Sequence, residues 1–233
     1  MNAVLTLQEV SVQFDTHLAL HGVNLRMQAG ERVALVGANG SGKSTLLRVA
    51  HGLLRVSSGH VLAAPEARQA MVFQRPHMLR TSVQSFVVWG LWLQGMPWTE
   101  ARGRAMQALE RVGLQDMAER SARTLSGGQQ QRLALARTWA LKPSFVLLDE
   151  PTSSLDPHAK REVERLLAEW VAASNVSLLF SSHNLGQVKR LATRVVYLEA
   201  GRVLADLPVE EFFNRPLGES HPEAHLFLKG ELG

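Results

Sequence analysis

The sequence predicts an α/β fold: a parallel sheet preceded by antiparallel strands, with an inserted α-helical subdomain. Three observations predict it. Apolar runs of strand length, Arg32–Val36, Phe145–Leu148 and Val176–Phe180, alternate with amphipathic helical patterns. Residues 37–42, Gly-Ala-Asn-Gly-Ser-Gly, make a glycine-rich loop between the first of these runs and a helix. Residues 99–140 carry helical periodicity alone.

In chain order, VLTLQEVSVQF alternates as a half-buried strand, and VNLRM follows after a loop. Ala29-Gly30-Glu31 turns the chain into the buried strand Arg32–Val36. The helix expected from Lys43 to Leu54 puts Leu46, Leu47, Ala50 and Leu53 at helical spacing. In the inserted block, Thr99 is the expected N-cap of a helix with apolar Ala101, Ala105, Leu109 and Val112, stopped by Gly113. Gln129–Leu141 is a second helix, ended by Lys142-Pro143. The unbroken apolar run Phe145–Leu148 reads as a strand covered on both faces. Asp156-Pro157 supplies the N-cap and first residue of a helix with Val163, Leu166, Leu167, Trp170 and Val171 on one face. Arg194–Leu198 and Arg202–Ala205 form a hairpin about Ala200-Gly201. About residues 1–75 and 139–205 therefore make the sheet-bearing core, 76–138 the helical subdomain, and 206–233 a tail. Gly218 and Pro222 argue against a helix in that tail, which makes His221 and His225 solvated residues rather than metal ligands.

Composition narrows the function classes. A chain of 233 residues, 45% hydrophobic and 20% charged, can bury a full core as one large domain or a core with a subdomain. It has no cysteine, which excludes disulfides, thiolate metal sites and cysteine nucleophiles. The opening MNAVLTLQEVSVQF lacks the basic-then-apolar layout of a signal peptide. The most apolar stretch, residues 82–98, falls short of the roughly 18–20 apolar residues of a membrane span. The net charge of +4 is dispersed, so no nucleic-acid partner is expected. Within residues 82–98, Phe86, Trp89, Leu91, Trp92, Leu93 and Trp98 are either subdomain core or an exposed groove for a partner helix.

Three motifs carry chemistry. Residues 37–44 fit G-x-x-x-x-G-K-[ST] without a mismatch. Backbone N–H groups of Gly37, Asn39, Gly40, Ser41 and Gly42 can wrap phosphates, aided by the positive end of the following helix. Lys43 adds a point charge for the β- and γ-phosphates of a nucleotide. The Ser44 hydroxyl suits Mg²⁺, and Thr45 lies beside it. The run Phe145–Leu148 then ends in Asp149 and Glu150, one carboxylate for the metal and one to polarise an attacking water. Finally, Leu125-Ser126-Gly127-Gly128-Gln129-Gln130-Gln131-Arg132 is a serine cap and two glycines opening a helix, a second anion site. One nucleotide in one chain does not need two such sites, so the second serves a nucleotide held by another copy.

The segment LSGGQQQR resembles the signature of the ATPase subunits of ABC transporters, and the likeness spans about residues 4–205. The resemblance implies an ABC-type ATPase fold and further site residues. Gln74 stands where the family has its Q-loop glutamine, a Mg²⁺ and water ligand. Ser153-Ser154-Leu155-Asp156 matches the D-loop that packs across the dimer, and His183 the switch histidine at the γ-phosphate. Phe14 stands where the family stacks an aromatic on adenine, with a core strand residue as the alternative. Two positions depart from the pattern: Phe14 where tyrosine is common, and Asn184 after His183 where aspartate is common. The resemblance further implies a homodimer sandwiching two ATP, integral membrane permease subunits, a substrate-binding protein, and a cytoplasmic place on the inner membrane face. Phe73–Val83 resembles the Q-loop region of tungstate-type oxyanion importers, with phosphate, molybdate or amino-acid import as alternatives. A soluble, non-transport ABC ATPase is the rival from another class.

Overall fold

The computed structural model describes residues 3–64, 67–214 and 217–230. The chain divides into two compact units. Unit 1 takes residues 1–69, 144–150 and 174–233, and unit 2 takes 70–143 and 151–173. Residues 151–173, expected beside the sheet, thus group with the helices.

Unit 1 begins with β1 (Ala3–Phe14) and β2 (His17–Gln28), antiparallel and joined by a tight turn at Asp15-Thr16. With β4 (Ser58–Ala63) they form a three-stranded antiparallel sheet in the order β2-β1-β4. The larger sheet of this unit is built from β3 (Arg32–Val36), β6 (Phe145–Asp149), β7 (Ser177–Ser181), β8 (Arg194–Glu199) and β9 (Arg202–Pro208). Its order is β6-β7-β3-β8-β9, parallel except for the β8–β9 hairpin. β6 and β7 are buried along their whole length, as expected of parallel strands covered on both faces. The hairpin turn has Ala200 and Gly201 at φ 46 and 77, both left-handed, which matches the twist of a two-residue turn. The helix α1 (Lys43–His51) packs on β6 and β7. It ends earlier than the spacing predicts, because Gly52 adopts φ 81 and returns its N–H to the Arg48 and Val49 carbonyls. Leu53 is consequently exposed.

The tail also differs from expectation. It forms α7 (Val209–Asn214) and α8 (Pro222–Lys229). Pro222 occupies the first turn of α8, where a missing N–H costs nothing, so it starts a helix rather than preventing one. Phe227 of α8 packs on the buried Tyr197, with ring centroids 5.3 Å apart. No group of three or more metal-ligating side chains occurs among the described residues.

Unit 2 receives the end of β5 (Gln69–Val72), then α2 (Val83–Trp92), α3 (Trp98–Arg111), α4 (Gly127–Ala140) and α5 (Pro157–Ala173). Two 3-10 turns, Gln115–Met117 and Ala122–Thr124, link α3 to α4. Pro97 rather than Thr99 stands at the N-cap of α3, so Trp98 is already helical. Val87, Leu91, Ala105, Leu109, Leu133 and Ala136 lie in one apolar cluster. The aromatic stretch splits by helical angle: Phe86 and Leu91 enter this core, while Trp89, Trp92, Leu93 and Trp98 stay exposed. Among the described residues, no helix is long and apolar enough to cross a membrane.

Leu109 is fully buried in this cluster. Leu109→Ala should destabilise the chain by about 2–5 kcal/mol, read as an earlier urea midpoint. Arg102→Ala, on the exposed side of the same helix, should stay within about 0.5 kcal/mol. Equal midpoints for the two variants would contradict this packing.

Candidate functional site

Residues 37–42 bridge β3 and α1 as a loop whose glycines have specific steric reasons. A Cβ on Gly37 would lie 2.1 Å from the Leu198 carbonyl oxygen, and φ is 145 there. A Cβ on Gly42, at φ 104, would lie 2.7 Å from the Ala19 carbonyl oxygen. Gly40, at φ 79, faces open space. Ser41 is buried behind the loop, while Asn39 is exposed and Thr45 half-buried.

Lys43 is 5% exposed, and its ammonium donates to the carbonyls of Gly37 and Ala38 at 2.8 Å each. Burial pushes its pKa down from the ordinary lysine value, and the nearby carboxylates of Glu150 and Asp149 push it back up. The loop therefore holds a desolvated positive charge on its own carbonyl groups, a charge that a phosphate can stabilise better.

The carboxylates stand at the end of β6. Asp149 is 4% exposed; its Oδ1 accepts from Ser44 Oγ at 2.8 Å and from Ser181 Oγ at 2.9 Å. The Glu150 N–H donates to the same Ser181 oxygen at 2.9 Å. Glu150 has φ 43, a left-handed backbone that non-glycine residues avoid at a cost of roughly 1–2 kcal/mol. Its Oε1 lies 2.8 Å from His183 Nε2. A hydroxyl beside a buried carboxylate is a hard-oxygen pair, and Ser44 with Asp149 fits Mg²⁺ on donor chemistry. The Glu150–His183 pair offers a proton acceptor and an imidazole side by side.

Phe14, at the end of β1, is 46% exposed, which removes the core-strand alternative.

Other expected residues lie in unit 2. Gln74 Nε2 donates to Ser153 Oγ at 2.9 Å. Asp156 caps α5, accepting the His158 and Ala159 N–H groups at 2.9 and 3.0 Å; the Ala159 bond chiefly holds its carboxyl below the usual range. At α4, Ser126 and Gln129 form a capping box: the Gln129 N–H reaches Ser126 Oγ, and Gln129 Oε1 accepts the Ser126 N–H. The helix starts at Gly127, two residues earlier than its apolar pattern indicates. A Cβ on Gly128 would meet the Ala159 Cβ at 2.5 Å, whereas Gly127 faces open space.

Ser181 and Ser182 were not among the expected site residues. A serine after an apolar strand has no local signal, and β6 and β7 meet only through the sheet.

A protein-family model described as ABC transporter matches residues 20–153. A probable ABC transporter ATP-binding protein of Campylobacter jejuni is 36% identical, over 97% of this chain and 98% of its own length. A glutamine transport ATP-binding protein of Geobacillus stearothermophilus is 37% identical, over 92% of this chain and 93% of its own. Among solved structures, a dimeric ATP-binding cassette in a post-hydrolysis state with ADP and Pi superposes with a TM-score of 0.80 at 27% identity, covering 88% of this chain and 98% of that one.

Removing the ammonium tests the loop directly. Lys43→Ala should weaken MgATP binding about 10–100-fold, the worth of a charge-assisted contact, as measured by calorimetry. The urea midpoint should not fall, since the variant also relieves a desolvated charge. Unchanged affinity would count against the loop as the phosphate site.

Proposed function

Because the chain belongs to the ABC transporter family of ATP-binding subunits, we propose that it drives import through a separate membrane permease, as a pair of copies sandwiching two ATP. One observation carries the paired reading: a capped helix headed by Gly127, in a chain that already has a complete phosphate loop. The dimeric ADP-bound cassette among the structural relatives supports it.

In this reading Gly37, Asn39, Gly40, Ser41, Gly42 and Lys43 hold the phosphates, with Thr45 beside them and Phe14 against the adenine. Ser44 and Asp149 would hold Mg²⁺, which would neutralise charge on the β- and γ-phosphate oxygens; for Gln74 a metal role rests on the family resemblance alone. Glu150 takes the proton of the attacking water, and His183 donates to the γ-phosphate. Ser126, Gly127, Gly128 and Gln129 face the γ-phosphate of the second copy. The backbone strain at Glu150 and its 2.8 Å contact with His183 support a role for this pair in the hydrolytic step. The permease would lie in the membrane, with this subunit on its cytoplasmic side and a substrate-binding protein delivering cargo.

For cargo, the glutamine transport relative favours an amino acid. The likeness of Phe73–Val83 to tungstate-type importers supports a second reading, a tetrahedral oxyanion. A strain lacking this subunit should lose uptake of a labelled polar amino acid at trace concentration. Loss of tungstate accumulation instead, with amino-acid uptake intact, would select the oxyanion reading.

Glu150→Gln keeps shape and loses basicity. Turnover should fall about 10²–10⁴-fold, while ATP shifts the variant to a dimer in gel filtration. A variant that stays monomeric and fully active would overturn both the role and the shared site.

A further inference from the structure

We propose that Gln187 is a positioning residue for the hydrolytic step, fixing the backbone that carries His183; the inference rests on the ATPase reading above. β7 leads into two serines that hold different parts of the site. Ser181 Oγ serves Asp149 and Glu150. Ser182 Oγ donates to Gln187 Oε1 at 2.7 Å and accepts the Asn184 N–H at 3.0 Å. The Asn184 side chain in turn caps α6 (Leu185–Leu191), accepting the Gln187 N–H at 3.2 Å. These bonds close a ring through residues 182, 184 and 187, and His183 is the residue enclosed by it.

His183 needs such a frame. Its side chain is 37% exposed, so packing alone does not aim the imidazole. Ser182 and Gln187 are by contrast 4% and 1% exposed. Gln187 uses only half of its amide: Oε1 accepts from Ser182, while Nε2 is buried with no hydrogen-bond partner among the described residues. A buried, unused donor is unfavourable. What the position supplies to this loop is therefore the acceptor oxygen, and that fixes which replacements work. Glutamate keeps the acceptor but would bury a carboxylate on one neutral hydroxyl, so it does not isolate this bond. Methionine keeps the volume but leaves the Ser182 hydroxyl proton unpaired.

Steady-state ATP turnover by the full chain tests this. Turnover by the parent tests the ATPase reading; ratios between variants test the inference. Gln187→Met should lower kcat about 3–10-fold, the usual worth of one neutral hydrogen bond, with KM for ATP within about twofold. Ser182→Ala should be at least as slow as Gln187→Met, because it also removes the acceptor of the Asn184 N–H, and the double variant should be no slower than Ser182→Ala. A parental kcat in Gln187→Met overturns the proposal. So does a change in KM for ATP as large as the change in kcat, together with a lowered thermal midpoint, the mark of a packing role alone. If Gln187→Met fails to fold, Ser182→Ala removes the same bond together with the acceptor of the Asn184 N–H, and a parental kcat there is equally decisive.

Discussion

The register of three parallel strands is the constraint on which the rest of the site depends. Ser181 lies level with Asp149 on β6 and with Leu35 on β3. The phosphate loop, the paired carboxylates and the His183 turn therefore all leave the sheet at the same edge. Side chains alternate along a strand, so a slip of one residue would turn Asp149 or Ser181 away from its partner. The Ser181 hydroxyl converts register into chemistry. It donates to Asp149 and accepts the Glu150 N–H, so one buried oxygen orients two adjacent acidic residues. In a low-dielectric interior such bonds are strong when complete and costly when broken.

How much of this is legible in the sequence depends on whether a residue's reason is local. The phosphate loop is legible because its whole pattern of glycines, lysine and serine falls within eight residues. The buried strands are legible because both their faces must be apolar. Ser126 is legible because a cap and its reciprocal Gln129 lie three residues apart. Ser182 and Gln187 are five apart, yet nothing in their types separates a loop frame from an ordinary helix start. Ser181 and Asp149 are farther still, 32 residues apart, and meet only through strand pairing. Pro222 misleads for a related reason. Proline forbids a helix interior and favours a helix start, and only the surrounding backbone decides between them.

Charge is arranged against the usual economy of a core. Lys43 and Asp149 are both nearly fully buried, a state that charged groups avoid unless they are paired or hydrogen-bonded. Here each is satisfied in a way that a nucleotide can improve. The ammonium rests on two neutral carbonyls, and the carboxylate rests on two neutral hydroxyls. A polyanion with its cation would replace neutral partners by charged ones at both positions without moving either side chain into solvent. The site is preorganised in that sense, since its desolvation is met during folding rather than during binding.

The two glycines of the signature separate what folding requires from what function requires. Gly128 is obligatory within the chain, because a Cβ there would collide with Ala159 and push α4 from α5. Gly127 meets no such limit: a Cβ would enter open space, and its backbone is not left-handed. Alanine would even be the better helix former at that position. A glycine that neither packing nor backbone geometry asks for is explained when something outside the chain approaches its backbone closely. The N–H groups at the head of α4 favour an anion there, which is what the γ-phosphate of a nucleotide on the proposed second copy would supply.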